Sequence, residues 1–203
     1  MADEKAKEIF RKAIIIHKNT PFSQNEIEDL KYRIDLYKSI GKAYQENGDI
    51  DVAENVLMKC LHIAEAKKEI SSELIDIYSK LGSVSLIKKD FERSEQIHIK
   101  VIELSINEYG EQHIQTAYAY ETLANAYKKI GDFDKAEENY LMALDIKENF
   151  YNNCSYCILD TYKNLLDLYK DVERFSEKYK LTLQKYELLD KGLQELYSRM
   201  YQQ

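Results

Sequence analysis

The chain has 203 residues, 44% hydrophobic and 32% charged, with 6 Gly, 1 Pro and a formal net charge of −7. So few helix breakers leave room for long helices and a sizeable buried core. The acidic balance, with no dense Lys/Arg cluster, argues against a nucleic-acid-binding face, and no apolar run approaches the ~20 residues of a membrane span.

The N-terminal stretch MADEKAKE is charged and has no apolar signal-peptide region. Three cysteines, an odd number, fit a reducing compartment, so a cytoplasmic location is expected. Residues 2–18 are read as an amphipathic helix with Ala6, Ile9, Phe10, Ala13 and Ile16 on one face. Asn19-Thr20-Pro21-Phe22 ends it. Ser23 and Glu26 then form a capping box, which opens a helix over about 24–47 carrying Leu30, Ile34, Tyr37, Ile40 and Tyr44. Helices alternate with short turns from there on, at 50–67, 71–88, 91–108, 113–130, 133–149 and 156–171. Gly48-Asp49, Lys89-Asp90 and Gly131-Asp132 each place an aspartate where its side chain caps the next helix. The last stretch, 174–201, bears a stripe of Leu183, Leu189, Leu193, Leu196 and Met200 and reads as a terminal covering helix. With no linker and no low-complexity tract, residues 1–203 are read as one domain.

These helices repeat. Tyr120 to Ala143, YETLANAYKKIGDFDKAEENYLMA, places small residues at Ala124, Ala136 and Ala143, where two helices must approach closely. The Ala124 position is held by Gly41, Gly82 and Leu166 in the other copies, at intervals of 41, 42 and 42 residues. Tyr37, Tyr78, Tyr120 and Tyr162 share one register. Ile50, Phe91, Phe133 and Phe175 share another. Ala53, Ser94 and Ala136 share a third, in which the fourth copy has Lys178. Terminal repeats are often atypical because one side lacks a neighbour. Ala6, Phe10 and Ala13 copy the spacing of Ala136, Tyr140 and Ala143, so the first helix is either half of an incomplete repeat or a cap. Most of the 17 tyrosines are expected in the repeat core with their hydroxyls reaching solvent at the rim.

The pattern resembles the tetratricopeptide repeat, and its ~42-residue period resembles the repeats of kinesin light chain. Gly110, His113 and Ala117 in YGEQHIQTA match the loop between repeats of that family; Ile114 stands where Pro is usual, and Glu121-Thr122 where an Asn pair is usual. The resemblance implies an all-α, right-handed superhelical solenoid of antiparallel helix pairs. It would hold about four repeats, near 34–67, 75–108, 117–149 and 159–187, plus an N-terminal helix and a C-terminal capping helix. It also implies a non-enzymatic interaction scaffold that takes a peptide or partner helix in the groove lined by the first helices.

Groove positions then map to Lys38, Ser39 and Lys42; Ser79, Lys80 and Ser83; Tyr118, Glu121, Thr122 and Asn125; and Lys163, Asn164 and Asp167. The site expected to carry binding is Lys80, Ser83, Ile87, Tyr118, Thr122, Asn125 and Lys129, with Lys163 and Asn164 farther along. It combines apolar anchors (Tyr118 and Ile87), cations, and amide and hydroxyl groups, and suits a segment with one apolar residue flanked by acids. Tyr118 and Ile87 could equally pack between repeats. The carboxylate clamp of chaperone-binding relatives is broken, since Tyr118 and Thr122 replace two of its charged positions. The alternative reading is a peptide-sensing regulator whose superhelix changes pitch on binding, which solution scattering would reveal. No helix-turn-helix module accompanies it.

Chemistry is sparse. There is no Gly-rich phosphate loop, HExxH or GxSxG, and His17, His62, His98 and His113 are scattered. Asp49 and Asp51 lack the further oxygen ligands of a calcium loop, since Ala53 occupies the next position. Cys154-Ser-Tyr-Cys157 is a lone CxxC with only Cys60 besides, too few ligands for zinc. It reads as a loop or packing pair, with a redox pair as the alternative. No enzyme activity, cofactor or metal is therefore expected. The expected partner is a protein or peptide, with no nucleic acid and no membrane, and the chain itself is expected to be a monomer or weak homodimer.

Overall fold

A computed structural model describes residues 26–65, 71–151, 156–170 and 172–200. The predicted helix at 2–18, Ser23 of the capping box, and Cys154 lie outside these. Among the described residues there are eight α-helices and no strand. They are α1 (Glu26–Glu46), α2 (Ile50–Glu65), α3 (Ser71–Ile87), α4 (Phe91–Tyr109), α5 (Ile114–Ile130), α6 (Phe133–Tyr151), α7 (Tyr156–Tyr169) and α8 (Ser176–Met200). A 3₁₀ turn, Glu173–Phe175, leads into α8. Where the residue beyond a helix end is also described, the expected boundary lies within two residues of that end, because the turn residues that set it act locally.

The turns show how. Gly48 and Gly131 adopt φ of +85° and +91°, the left-handed C′ conformation. The next residue then donates back across the helix end: Asp49 N to Tyr44 O at 2.9 Å and Asp132 N to Tyr127 O at 3.0 Å. Asp132 also accepts from Lys135 N, and Asp90 from Arg93 N, on their side-chain oxygens. The second turn builds the same geometry with Lys89 at φ +62°. A side chain in that region costs roughly 1–2 kcal/mol. Lys89→Gly is therefore expected to raise stability by about 1 kcal/mol in urea unfolding; an unchanged midpoint would show that the lysine stem recovers the strain.

The helices group into two compact units, one ending at Ile97 and one beginning at His98, with the division inside α4. In the first unit α2 packs against both α1 and α3. Ile34, Ile40, Leu57 and Ile77 are fully buried in its core. Gly41 lets the first two helices close: a β-carbon there would lie 2.9 Å from Leu57 Cγ. Ser94 at the small-residue position donates to Gly82 O at 3.0 Å. Glu54 takes Lys88 at 2.7 Å and Arg93, which hold its carboxyl below the usual range.

In the second unit α5 packs on α6, α6 on α7, and α7 on α8. Ala124, Ala136 and Ala143 are wholly buried, as close helix approach requires. Glu137, itself buried, takes Lys178 Nζ at 2.7 Å on both oxygens and the Tyr169 hydroxyl at 2.7 Å. The lysine that interrupts the small-residue register in the fourth copy thus ties α8 to α6. Asp134 and Arg174 add a bridge at 2.8 Å between α6 and the turn before α8.

The tyrosine hydroxyls do not simply reach solvent. Tyr78 donates to Glu65 at 2.9 Å, and Tyr162 donates to Glu148 at 2.8 Å. Glu65 and Glu148 hold the same register on the second helix before each tyrosine, so the bond recurs with the repeat. In the third copy Ile106 stands where the glutamate would be.

Candidate functional site

The expected groove residues lie on the first helix of each pair, and the two units hold separate groups of them. In the first unit Lys38 is held between Asp35 and Asp76, each at 2.8 Å. Burial opposes its charge, but the two carboxylates outweigh this and hold the ammonium above the ordinary lysine range. Lys80 reaches the same Asp76 at 3.4 Å. Ser79 and Ser83 donate to Ile75 O and Ser79 O, one turn back on their own helix. Such back-bonding uses the hydroxyl hydrogen internally. Ile87, the last residue of α3, is exposed.

In the second unit Tyr118, Thr122, Asn125 and Lys129 descend one stripe of α5. Thr122 donates to Tyr118 O at 2.8 Å, again one turn back. Asn125 accepts from the Tyr140 hydroxyl at 2.7 Å through Oδ1, leaving its NH₂ end for other partners. Lys129 is exposed, while its neighbour Lys128 pairs with Asp167 on α7. Lys163 is exposed on α7, 3.6 Å from Asp160 and 6.0 Å from the Tyr186 ring. Asn164 beside it is half-buried.

Tyr118 is 38% exposed, but it is not loosely held. Lys147 Nζ lies 4.7 Å from its ring centroid, a cation–π contact. Its hydroxyl meets Cys157 Sγ at 3.3 Å. Lys147 itself is 1% exposed, and its ammonium pairs with Glu121 at 2.7 Å and reaches Thr161 Oγ1 at 3.0 Å and Cys157 O at 3.3 Å. Thr161 donates onward to Glu121. A buried ion pair therefore joins α5, α6 and α7 directly beneath the exposed ring. Sequence reasoning missed it, although a signal existed: Lys147 shares its register with Ala64 and Ser105, both wholly buried. A lysine in a small buried register position calls for a carboxylate nearby.

The remaining polar residues carry packing. His113 caps α5 by accepting from Gln115 N at 3.2 Å, and its ring stacks on Tyr109 at 5.1 Å. His98 is buried and His62 exposed. Cys60 donates to Ile34 O at 3.6 Å, and burial pushes its thiol up to about 12, so it is inert near neutrality. Among the described residues, no group of three or more His, Cys, Asp or Glu is placed to hold a metal ion. None of their helices is long and apolar enough to cross a membrane.

Two family models match the sequence, both described as tetratricopeptide repeat, over residues 34–67 and 73–149, together more than half of the chain. No curated protein matches. Among solved structures, BtubC (BKLC) from P. vanneervenii is similar with a TM-score of 0.78 at 17% identity, over 95% of this chain and 75% of that one. A putative kinesin light chain of Podosopora anserina with nearly identical TPR-like repeats gives 0.73 at 16% identity, over 95% and 89%. The apo form of RapI gives 0.68 at 15% identity, over 92% of this chain and half of its own. At these identities the structural likenesses establish an all-α repeat solenoid and nothing finer.

Proposed function

Since this chain belongs to the tetratricopeptide-repeat family, a fold of protein–protein interaction scaffolds, we propose that it binds a peptide or partner helix on the face formed by its first helices. The observation that carries this reading is Tyr118. An aromatic ring stands exposed on a first helix, yet a buried cation fixes it from below and a thiol holds its hydroxyl. Anchors that are rigid before binding lose little entropy on association. Asn125 supplies amide hydrogens toward a partner backbone, and Lys129 and Lys163 supply cations on either side. This suits a segment with one apolar residue flanked by acids. Lys80, Ser83 and Ile87 are the matching positions of the first unit; Lys80 already shares Asp76 with Lys38, so it offers less attraction than its charge suggests. The hydroxyls of Ser83 and Thr122 contribute as acceptors.

The test is paired affinity capture from native lysate, with the wild type and Tyr118→Ala as baits. A partner of this face should be recovered with wild type and reduced about tenfold with the variant, the helical circular dichroism being unchanged. Equal recovery by both baits would place the partner on another surface.

A further inference from the structure

The second helices carry a pattern of their own on the side turned away from the core. On α6 the buried residues are Ala136, Glu137, Tyr140, Ala143, Leu144, Ile146 and Lys147. Leu141 and Asp145 lie on the opposite, exposed side, one turn apart, with Leu141 46% exposed. One repeat earlier, Ile99 and Glu103 on α4 stand in the same register, Ile99 being 42% exposed. One repeat later, Leu183 and Glu187 on α8 do so again, with Leu183 half-buried and Glu187 exposed. Core packing does not require an apolar residue at these places, nor a carboxylate four residues after it. In the first unit Met58 is exposed at the same register, but His62 takes the place of the acid. The paired pattern is therefore confined to the second unit. The bridge from Lys178 to Glu137 holds α6 and α8 side by side about one turn before Leu141 and Leu183.

We propose that this row, Ile99-Glu103, Leu141-Asp145 and Leu183-Glu187, is a docking surface for a cationic amphipathic helix. Each rung offers one apolar contact and one carboxylate. Packed helices stand about 8–10 Å apart, and a helix rises ~1.5 Å per residue. A helix laid across rungs at that spacing would meet one about every five to seven residues, near the period of a heptad of leucine with lysine or arginine beside it. Glu103 already has Lys100 at 3.2 Å, but such an exposed i,i+3 pair is weak and a partner cation can replace it. This surface is distinct from the face that bears Tyr118.

The probe is a synthetic three-heptad helix of leucine and lysine, labelled for fluorescence anisotropy, with a twin carrying glutamate for lysine. The lysine peptide should bind saturably and more weakly as salt rises. Leu141→Ser and Asp145→Lys should each weaken it about five- to tenfold, while Met58→Ser and Tyr118→Ala leave it unchanged. Absence of saturable binding, equal binding of the glutamate twin, or indifference to both α6 variants would overturn the proposal. Loss of binding through Tyr118→Ala would overturn it too, and would leave the first-helix face as the site.

Discussion

Lys147→Ala is expected to lower the free energy of unfolding by about 3–5 kcal/mol, the range found when one partner of a buried ion pair is removed. The Lys147 side chain is only 1% exposed, and Glu121 beside it has only 12% of its side chain exposed. Removing the lysine leaves that carboxylate with the Thr161 hydroxyl as its one remaining partner among the interactions described. It also removes the cation beneath Tyr118 and opens a gap between α6 and α7. Replacing both members, as Lys147→Met with Glu121→Leu, should recover much of the loss, because a well-packed apolar pair is often as stable as a buried ionic one. Urea unfolding of the two single variants and the double variant forms the cycle. A single-variant cost below about 1 kcal/mol, the level of exposed ion pairs, would mean that water reaches the ammonium.

The second large effect is expected at Ala136→Leu, a loss of about 1–3 kcal/mol from overpacking. Ala136 has no exposed surface, and neither do Ala53 and Ser94 in the same register. The backbones meet there, so a larger side chain must push α6 from its neighbours or leave its rotamer. Glu137 and its bonds to Lys178 and Tyr169 begin at the next residue, so any shift of α6 strains them as well. Chemical denaturation is the measurement, and an unchanged midpoint would show unfilled space between those helices.

Helices and turns were legible in the sequence because their causes are local. Gly48 and Gly131 take the left-handed conformation that a glycine followed by a capping aspartate predicts, and Lys89 takes it without being glycine. The register of Ala53, Ser94 and Ala136 announced close helix approach. The candidate site was legible only in outline. Tyr118, Lys129 and Lys163 are exposed, but Ser83 and Thr122 turn their hydroxyl hydrogens to carbonyls of their own helices. That competition between backbone and partner is invisible in a residue type. Glu121 was read as a groove position, and it proves to be half of a buried pair whose other half lies 26 residues on, outside any local window. The tyrosine–glutamate bonds escaped for the same reason, since each joins two different helices.

Those tyrosines have an optical consequence. The chain has no tryptophan, so phenol rings are its natural chromophore. Burial, reinforced by nearby carboxylates, pushes the Tyr78 phenol up to about 12 and those of Tyr140, Tyr162 and Tyr169 higher still. In an unfolded chain the same rings ionise near pH ~10. A raised folded value means that their contribution to stability is complete below pH ~10 and drains away as the pH climbs through the folded values. In mild alkali these four rings stay dark in the phenolate band while the fold persists. Their late absorbance, set against the earlier rise from exposed rings, makes alkaline unfolding visible without any label.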